Sequence, residues 1–399
     1  MSTTTRLTMV IAASLALAAC SPSAGTSPID ASPAATAGSA VASVTPEPTV
    51  REAAWTADTG TEMWATPAAF GDLVVVGGND GVVRAFALAD GAPRWEFETA
   101  GDVRAQAAID GDSAYVLSDD GNVYALDPTG ALLWAARAGE PASDREPYDV
   151  FGSRPAVADG VVYAGTETGT VTAFDAATGD VRWVADVEAP VESNLALGNG
   201  LVHVSTMAGV HYALAMADGS EVWSVSHGKS FTTSPLVMDG NLYIGSRATK
   251  LVKLDEQTGE KEWSVGFGSS WVQSGAQPLA EDQIVIGSSD LRTVRALDVN
   301  TGGPVWSTET TGWPWGIPAV ADGVVYETQH MVDYQQPWEI GLYALDAKDG
   351  HVIWTASAGP ALEYQPDGYS FYGNGASAIV ADQYVITAGL DGVVRAYTR

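Results

Sequence analysis

The feature that most constrains the fold is an internal repeat that ends in tryptophan. Its clearest copy is AFDAATGDVRW at residues 173–183, and the seven copies end at Trp95, Trp134, Trp183, Trp223, Trp263, Trp306 and Trp354. With Trp55, which precedes the first copy, the eight tryptophans lie 40, 39, 49, 40, 40, 43 and 48 positions apart. A period of about forty residues is the length of a four-stranded β-propeller blade.

Each unit divides into four short strands. In the first complete unit the predicted strands are residues 65–70, 73–77, 82–87 and 93–98. Asp-Gly and Thr-Gly dipeptides recur between strands, because glycine reaches the positive φ of two-residue hairpins at little cost. Turns about ten residues apart, separating segments rich in Val, Tyr and Ala, exclude a helical solenoid.

The two ends of the repeat region complement each other. The chain ends in an opening half-copy, Arg395-Ala396-Tyr397, with no tryptophan after it, whereas Trp55 begins the region without strands before it. We therefore expect residues 51–59 to form the outermost strand of a last blade whose inner strands come from about 376–398. Such closure removes free sheet edges. The predicted fold is all-β: an eight-bladed propeller of four-stranded blades over 51–399, closed by its N-terminal strand, with no second domain.

The first fifty residues have a different composition. Arg6 is followed by an uncharged run, 7–19, which is too short to span a bilayer and is typical of a signal peptide over residues 1–20. The run ends in Leu-Ala-Ala-Cys, which resembles a bacterial lipobox and implies acylation of Cys20, the single cysteine of the chain. Residues 21–50 are mostly Ala, Ser, Thr, Pro and Gly, which predicts a disordered tether.

The motif A-x-D-x-x-T-G-x-x-x-W resembles the signature of the PQQ-type (quinoprotein-like) repeat, and the resemblance covers residues 51–399. It implies that each tryptophan docks between adjacent blades and braces the ring. With a lipobox and eight blades, the chain is also similar in architecture to the lipoprotein propeller of the outer-membrane β-barrel assembly machinery. Many proteins carry this repeat without a cofactor, so the resemblance specifies fold more than function.

The charge balance limits the partners. The chain has 19 Lys+Arg against 49 Asp+Glu, a formal charge of −30. Such a surface has few cations to exchange for counterions and repels nucleic acid. We expect a monomer whose membrane contact is the lipid on Cys20, either at the outer face of the cytoplasmic membrane or at the outer membrane.

Three long departures from the forty-residue unit, residues 135–153, 327–341 and 357–375, fall on one face. We name it the connection face: it carries the links between blades and the turns between second and third strands, such as 79–81. The turn face carries the other turns, such as 71–72 and 89–91. The aromatic residues outside the repeat concentrate on the connection face, where they either pack the loops or bind a partner. They are Tyr148, Phe151, Trp271, Trp313, Trp315, Tyr334, Trp338, Tyr364, Tyr369 and Tyr372.

A second candidate site is a polar position at the start of each innermost strand. Across the eight blades this position reads Thr66, Gln106, Arg154, Asn194, Ser234, Gln277, Ile317 and Ser377, and two residues earlier lie Trp64, Arg104, Glu192, Thr232 and Trp315. This side of the strand is predicted to face the central channel. The candidate channel mouth is Trp64, Arg104, Gln106, Arg154, Asn194 and Gln277. It is either a water-lined passage or a pocket in which Arg104 and Arg154 face an anionic group.

No catalytic motif stands out. The five histidines lack metal-ligand spacing, and no P-loop or nucleophile elbow is present. The leading interpretation is a non-catalytic envelope propeller, without cofactor, that binds a protein or a glycan. The alternative is a dehydrogenase of an alcohol or sugar that uses PQQ and Ca²⁺, with Trp315, Arg154 and Asn194 around the quinone. Enzymes of that kind are longer and carry an adjacent Cys-Cys pair, which this chain lacks. A polysaccharide-active enzyme would need a carboxylate pair that cannot be singled out among 49 acids.

Overall fold

Each tryptophan-ended repeat folds as a separate sheet. The computed structural model describes residues 48–142, 152–229, 233–272, 274–332, 340–357, 359–364 and 370–399. Two strands, β1 (Thr49–Val50) and β2 (Trp55–Asp58), precede the first complete blade.

Blades 1 to 6 each contain four sequential antiparallel strands, the first innermost. Blade 1 contains β3 (Ala68–Phe70), β4 (Leu73–Gly77), β5 (Val82–Ala87) and β6 (Pro93–Glu98), and blade 2 contains β7 (Ala108–Asp110), β8 (Ser113–Leu117), β9 (Asn122–Leu126) and β10 (Leu132–Arg137). Blade 3 contains β11 (Ala156–Ala158), β12 (Val161–Gly165), β13 (Thr170–Asp175) and β14 (Val181–Asp186), and blade 4 contains β15 (Ala196–Gly198), β16 (Leu201–Ser205), β17 (Val210–Ala215) and β18 (Glu221–Ser226). Blade 5 contains β19 (Leu236–Met238), β20 (Asn241–Ser246), β21 (Lys250–Asp255) and β22 (Lys261–Gly266), and blade 6 contains β23 (Gln277–Ala280), β24 (Gln283–Ser288), β25 (Thr293–Asp298) and β26 (Pro304–Glu309).

The last two blades carry additions. Blade 7 contains β27 (Ala319–Ala321), β28 (Val324–Thr328), β30 (Leu342–Asp346) and β31 (Val352–Ala356), and blade 8 contains β34 (Ile379–Ala381), β35 (Tyr384–Ala388), β36 (Val393–Thr398) and β2. A separate sheet outside the blades is formed by β29 (His330–Val332), β32 (Pro360–Tyr364) and β33 (Ser370–Gly373) in the order β29-β33-β32. The prediction of an eight-bladed propeller is confirmed. Among the described residues, no helix has the length and hydrophobicity needed to span a membrane.

The ring is closed by the N-terminal strand, as predicted. Strand β2 pairs antiparallel with β36, and Trp55 faces Ala396 in the register. Beyond the strand, the backbone N–H of Thr59 donates to the carbonyl of Gly392 at 2.8 Å. The outermost strand of the last blade therefore comes from the opposite end of the repeat region.

The boundary between tether and propeller differs from the predicted one at residue 50. Strand β1 adds a fifth, parallel strand to the outer edge of blade 7, where Thr49 pairs with Trp354. The Arg51 guanidinium lies 4.4 Å from the Trp354 ring centroid. Thr and Val favour extended backbone, and the outer edge of β31 offers them unpaired hydrogen-bonding groups. The last residues of the predicted tether thus belong to the folded unit.

The repeat tryptophans connect neighbouring blades. For seven of them, Nε1–H donates at 2.9–3.0 Å to a backbone carbonyl in the next blade: Trp55 to Leu88, Trp95 to Pro128, Trp134 to Ala176, Trp183 to Met216, Trp223 to Glu256, Trp263 to Val299 and Trp306 to Ala347. The ring lies against the turn glycine of that blade, and a Cβ at Gly179 would be 2.7 Å from Trp134. The bracing role implied by the repeat is therefore present in the structure.

The innermost strand of blade 1 is shorter than predicted. In blade 1 the strand begins at Ala68 rather than at residue 65, whereas its other three strands have the predicted limits. Pro67 has no N–H to pair with, and its carbonyl instead accepts a hydrogen bond from Gln106 Nε2 at 2.7 Å. The residues before each innermost strand are thereby free to form contacts between blades.

Candidate functional site

The polar position of the innermost strands forms a ring around the channel. All eight of its residues line a central channel of about 820 Å³. Six of them, Thr66, Gln106, Asn194, Ser234, Ile317 and Ser377, also line a smaller pocket of about 60 Å³ on the side of the connection face. The ring thus separates the pocket from the channel.

Part of the polarity of this ring has a structural cause. The backbone N–H of Ser377 donates to Thr66 Oγ1 at 3.1 Å, and that of Ile317 donates to Ser377 Oγ at 2.7 Å. Likewise, Arg154 N–H donates to Asn194 Oδ1 at 3.0 Å. In each case a side chain of one blade satisfies the backbone of the preceding blade, so a polar residue at this position joins neighbouring innermost strands.

The two arginines of the predicted mouth have different surroundings. Arg104 pairs with Asp102 and with Asp119, whose Oδ2 lies 3.0 Å from Nε. Arg154 donates from Nη1 to the neutral Oε1 of Gln106 at 2.9 Å, and burial lowers the pKa of its guanidinium. The pocket beside Arg104 also contains the buried carboxyl group of Glu192. Arg104 is therefore neutralised at the mouth, whereas Arg154 carries its charge into the channel.

Three of the predicted candidate tryptophans are buried. Trp64, Trp313 and Trp315 are 1%, 7% and 6% exposed and pack around His330. The Trp315 ring stacks on His330 at 4.3 Å between centroids and on Trp313 at 5.2 Å, and Trp64 lies 5.2 Å from His330. Burial lowers the pKa of His330 to about 3. These tryptophans therefore form a neutral aromatic stack below the connection face and offer little ring surface to a partner.

The aromatic stack supports the separate sheet. His330 begins β29, and its N–H and C=O both bond to the backbone of Trp313, at 2.9 and 2.7 Å. Met331 of β29 pairs with Tyr372 of β33. Because β29 follows the second strand of blade 7, and β32 and β33 lie between blades 7 and 8, the connectivity assigns this sheet to the connection face. We call β29, β32 and β33 the accessory sheet.

Trp271 is exposed on the connection face. It lies between blades 5 and 6, is 38% exposed, and has the Arg247 guanidinium 4.9 Å from its ring centroid. Leu291, on the adjacent turn of blade 6, is 37% exposed, and its N–H donates to Ser270 Oγ at 3.1 Å. We call Arg247, Trp271 and Leu291 the Trp271 patch. Within the described residues, the other large exposed hydrophobic side chains belong to β1 and the outermost strands.

Two further aromatic candidates belong to the accessory sheet. Tyr364 and Tyr372 lie in β32 and β33 of the accessory sheet. The remaining candidates fall outside the described residues: Cys20, Tyr148, Phe151, Tyr334, Trp338 and Tyr369.

Sequence reasoning missed a buried polar network between blades 4 and 5. His203 Nδ1 lies 3.3 Å from His211 Nε2, and His203 Nε2 lies 3.4 Å from Glu256 Oε1. Ser205 Oγ lies 2.9 Å from His211 Nδ1, and Asn199 Nδ2 donates to Glu256 Oε2 at 2.5 Å. Burial lowers the pKa of both histidines. An alignment of the blades could have identified this network, because the position of His211 is Val or Leu in every other blade.

A second missed residue is Glu327, on the second strand of blade 7. Its side chain is fully buried, neither carboxyl oxygen has a hydrogen-bond partner among the described residues, and burial raises its pKa well above the usual range. Six blades have an aliphatic residue here: Val76, Val116, Ala164, Val204, Ile244 and Ile286. Glu327 is therefore a buried carboxyl group in an apolar position, where burial favours its protonated form.

The family assignment rests on the whole repeat region. A family model described as "Outer membrane protein assembly factor BamB" matches residues 18–143, 79–205, 119–264, 206–290 and 268–398. The chain belongs to this family.

Curated relatives agree with this assignment over shorter stretches. The BamB of Burkholderia pseudomallei is 33% identical over 131 residues, which is 32% of this chain and 32% of that protein. The BamB of Bordetella pertussis is 28% identical over 175 residues, 34% of this chain and 45% of that protein. The chain thus spans less than half the length of the curated BamB proteins it matches.

Solved structures share the propeller fold. A computationally designed protein, Ika8, has a TM-score of 0.71 at 18% identity and covers 87% of this chain and 100% of its own. The BamB of Moraxella catarrhalis has a TM-score of 0.56 at 17% identity, with 84% of both chains covered. A europium-containing methanol dehydrogenase has a TM-score of 0.67 at 15% identity, with 85% of both chains covered. At these identities the likeness concerns the fold.

The described residues of this BamB-family chain do not fit a quinone cofactor with Ca²⁺. The Trp315 ring, the predicted stacking surface, already stacks on His330. Among the described residues, the cluster with metal-ligand spacing is Asp346, Asp349 and His351, at a turn between third and fourth strands, on the turn face. The carboxylates of Asp102 and Asp119 at the channel mouth are engaged by Arg104. The described residues of the connection face therefore do not form the arrangement that the dehydrogenase alternative requires.

Proposed function

We propose that this BamB-family chain is a non-catalytic scaffold of the cell envelope that binds an envelope protein through its connection face. In this proposal the lipid on Cys20 holds the propeller at a membrane. The names of the relatives, which describe outer membrane protein assembly factors, support an envelope protein as partner rather than a glycan.

The Trp271 patch carries the proposal. Tryptophan and arginine are enriched at the centres of protein interfaces, where an aromatic anchor fills a pocket of the partner. Trp271 is presented in that way, with one ring face against Arg247 and more than a third of its surface in solvent. On the turn face, the described residues expose no comparable hydrophobic side chain.

The accessory sheet gives the connection face additional area. It is built from two of the three long insertions, and its strand β29 begins at His330, which packs in the buried stack of tryptophans. Trp64, Trp313 and Trp315 accordingly act as positioning residues that hold this sheet. A specific protein interface buries about 800 Å² on each partner, which a single loop tip cannot supply but a sheet with neighbouring loops can.

The test is site-specific photo-crosslinking in the native host. A photoreactive amino acid replaces Trp271 in one variant, Val184 in a second and Asp90 in a third. Val184 is exposed and apolar but lies on the outermost strand of blade 3, and Asp90 lies on the turn face. We expect one defined envelope protein to be crosslinked from position 271 and not from the other two.

Affinity measurements then follow with the purified partner. Trp271→Ala is expected to weaken binding by about 1–3 kcal/mol, as for other aromatic anchors, whereas Val184→Ala leaves binding unchanged. Crosslinks from positions 90 or 184 alone would show that the chosen face is wrong. Binding to isolated envelope glycan that depends on Trp271, without any protein crosslink, would replace the protein partner with a glycan.

A further inference from the structure

Within the part of the chain that the structure describes, Arg154 is a cation without an anionic partner. Its side chain makes one hydrogen bond, to the amide oxygen of Gln106, and its Nε is buried without a partner among the described residues. The other arginine of the mouth, Arg104, is paired with two carboxylates. The chain has 49 acidic residues, yet none of the described ones pairs with the Arg154 guanidinium in the channel. A partly desolvated guanidinium is most stable opposite an anion.

The described residues around Arg154 bring no second charge into the channel. Among the described residues that line it, Arg154 is the one charged side chain. The neighbours of Arg154 at the same level include the amides of Gln106 and Asn194 and, further around the ring, that of Gln277. Amide N–H groups and a guanidinium together can donate several hydrogen bonds to a carboxylate. The ring is therefore suited to bind a small anionic group.

Below the polar ring the channel wall is aliphatic. The central residue of the innermost strand is a partly exposed aliphatic side chain in most blades: Ile109, Val157, Leu197, Val237, Val320 and Val380. In blade 1 the equivalent residue, Ala69, is exposed although its strand is innermost, so solvent reaches this part of the channel. An apolar chain that enters here would remove hydrocarbon surface from water on both sides.

We propose that the channel binds an aliphatic carboxylate, with its carboxylate at Arg154 and its hydrocarbon chain along this aliphatic wall. The formal charge of −30 repels small anions in bulk solution, so the apolar chain must supply a large share of the binding free energy. The volume of about 820 Å³ accommodates a chain of medium length. The inference is independent of the protein partner, because it concerns the lumen and not the Trp271 patch.

Isothermal titration of the purified propeller with octanoate tests the proposal. We expect binding that strengthens by about fourfold for each CH₂ group from butanoate to octanoate, because each group buries apolar surface. Octanol and octylamine have the same chain without the carboxylate, and we expect each to bind at least about tenfold more weakly than octanoate. Equal binding of octanol and octanoate would overturn the role of Arg154, and no binding of octanoate at millimolar concentration would overturn the site.

Variants in one blade separate the local effect of Arg154 from net charge. Arg154→Gln removes the guanidinium and is expected to weaken octanoate binding at least about tenfold. Arg182→Gln in the same blade makes the same change in net charge at an exposed ion pair with Asp175, and is expected to bind octanoate like the parent. Arg154→Lys should restore part of the affinity. Melting temperatures show whether each variant is folded, and unaltered binding by folded Arg154→Gln would refute the assignment.

Discussion

Trp55 faces Ala396 across the closing strands of the ring, and its Nε1–H donates to the carbonyl of Leu88 in blade 1. This single side chain therefore connects the last blade to the first. Its neighbours in the buried cluster come from both blades and include Phe86 and Ile386. The stability of the ring is expected to depend on this contact more than on any exposed loop.

Deletion of residues 51–59 is expected to lower the melting temperature sharply or to cause aggregation, because it exposes the edge of β36. Trp55→Ala alone should cost about 3–5 kcal/mol, as for other buried large aromatics. Trp271→Ala is the matched control, since the same residue type is exposed there and its loss should hardly change stability. Thermal and denaturant unfolding measure both effects, and an unchanged melting curve after the deletion would rule out closure by β2.

The contact of each repeat tryptophan with the next blade is tested at a turn glycine. Gly179 has a φ of 76°, and an added Cβ would lie 2.7 Å from the Trp134 ring. Gly160, in the same blade, has a φ of 72° with nothing within 4 Å. Both alanine variants carry the backbone strain, about 1–2 kcal/mol, but Gly179→Ala adds a clash of about 1–3 kcal/mol. Equal destabilisation of the two variants would show that the tryptophan contact is unimportant.

The anchor is tested at Cys20, which the sequence alone identifies. Because lipid on this residue is the proposed membrane attachment, Cys20→Ala should release the protein from membranes without changing its melting temperature. Fractionation with a carbonate wash distinguishes anchored from peripheral protein. A variant that stays in the membrane fraction after the wash would refute the lipid anchor.

Repetition explains how much of this molecule was predictable. Seven copies of one motif gave the number of blades, the closing strand and the limits of three strands in blade 1, because each copy repeats the same turn chemistry. The polar position at the start of each innermost strand was visible in the alignment of the blades, and its residues line the channel. What the sequence did not reveal depends on contacts between non-repeated residues, such as the stacking of Trp315 on His330 across two connections.

The residues that depart from the repeat are those whose roles the sequence left undetermined. The sequence left packing and binding both open for the aromatic residues of the connections, and burial decided in favour of packing for Trp64, Trp313 and Trp315. His211 falls at a position that is aliphatic in every other blade, and Glu327 at one that is aliphatic in six, yet a single sequence does not show what surrounds them. Their effects on stability can be predicted from the structure.

Glu327 is expected to destabilise the folded protein at neutral pH. Its folded-state pKa is raised above the ordinary value of 4.5, so the unfolded chain loses its proton first as the pH rises. Stability is therefore lost above about pH 4.5, and Glu327→Val should gain about 1–3 kcal/mol, more at pH 8 than at pH 4.5. Urea unfolding at both pH values measures the gain. A less stable variant at pH 8 would mean that the carboxyl group has a favourable partner.

The network of His203, His211 and Glu256 should make the propeller sensitive to acid. Burial, followed by the charges of His203 and His227, lowers the pKa of His211 well below its ordinary value of 6.5. Below pH 6.5 the unfolded chain therefore binds protons that the folded chain does not, and stability is lost as the pH falls. Each such histidine contributes a slope of up to about 1.4 kcal/mol per pH unit.

The matched variant replaces His211 by the residue of the other blades. His211→Val should reduce this slope below pH 6.5. The same protein also carries Ser205→Gly, because the Ser205 hydroxyl would otherwise lose its partner His211. Glycine is tolerated at this position, since Gly77 and Gly245 occupy it in other blades. Thr172→Val, which removes a buried hydroxyl in blade 3 but no titrating group, is the control and should leave the slope unchanged. Urea unfolding between pH 4.5 and 7.5 gives the slopes. If the double variant and the parent lose stability equally with acid, the buried histidines of blade 4 are not the groups that titrate.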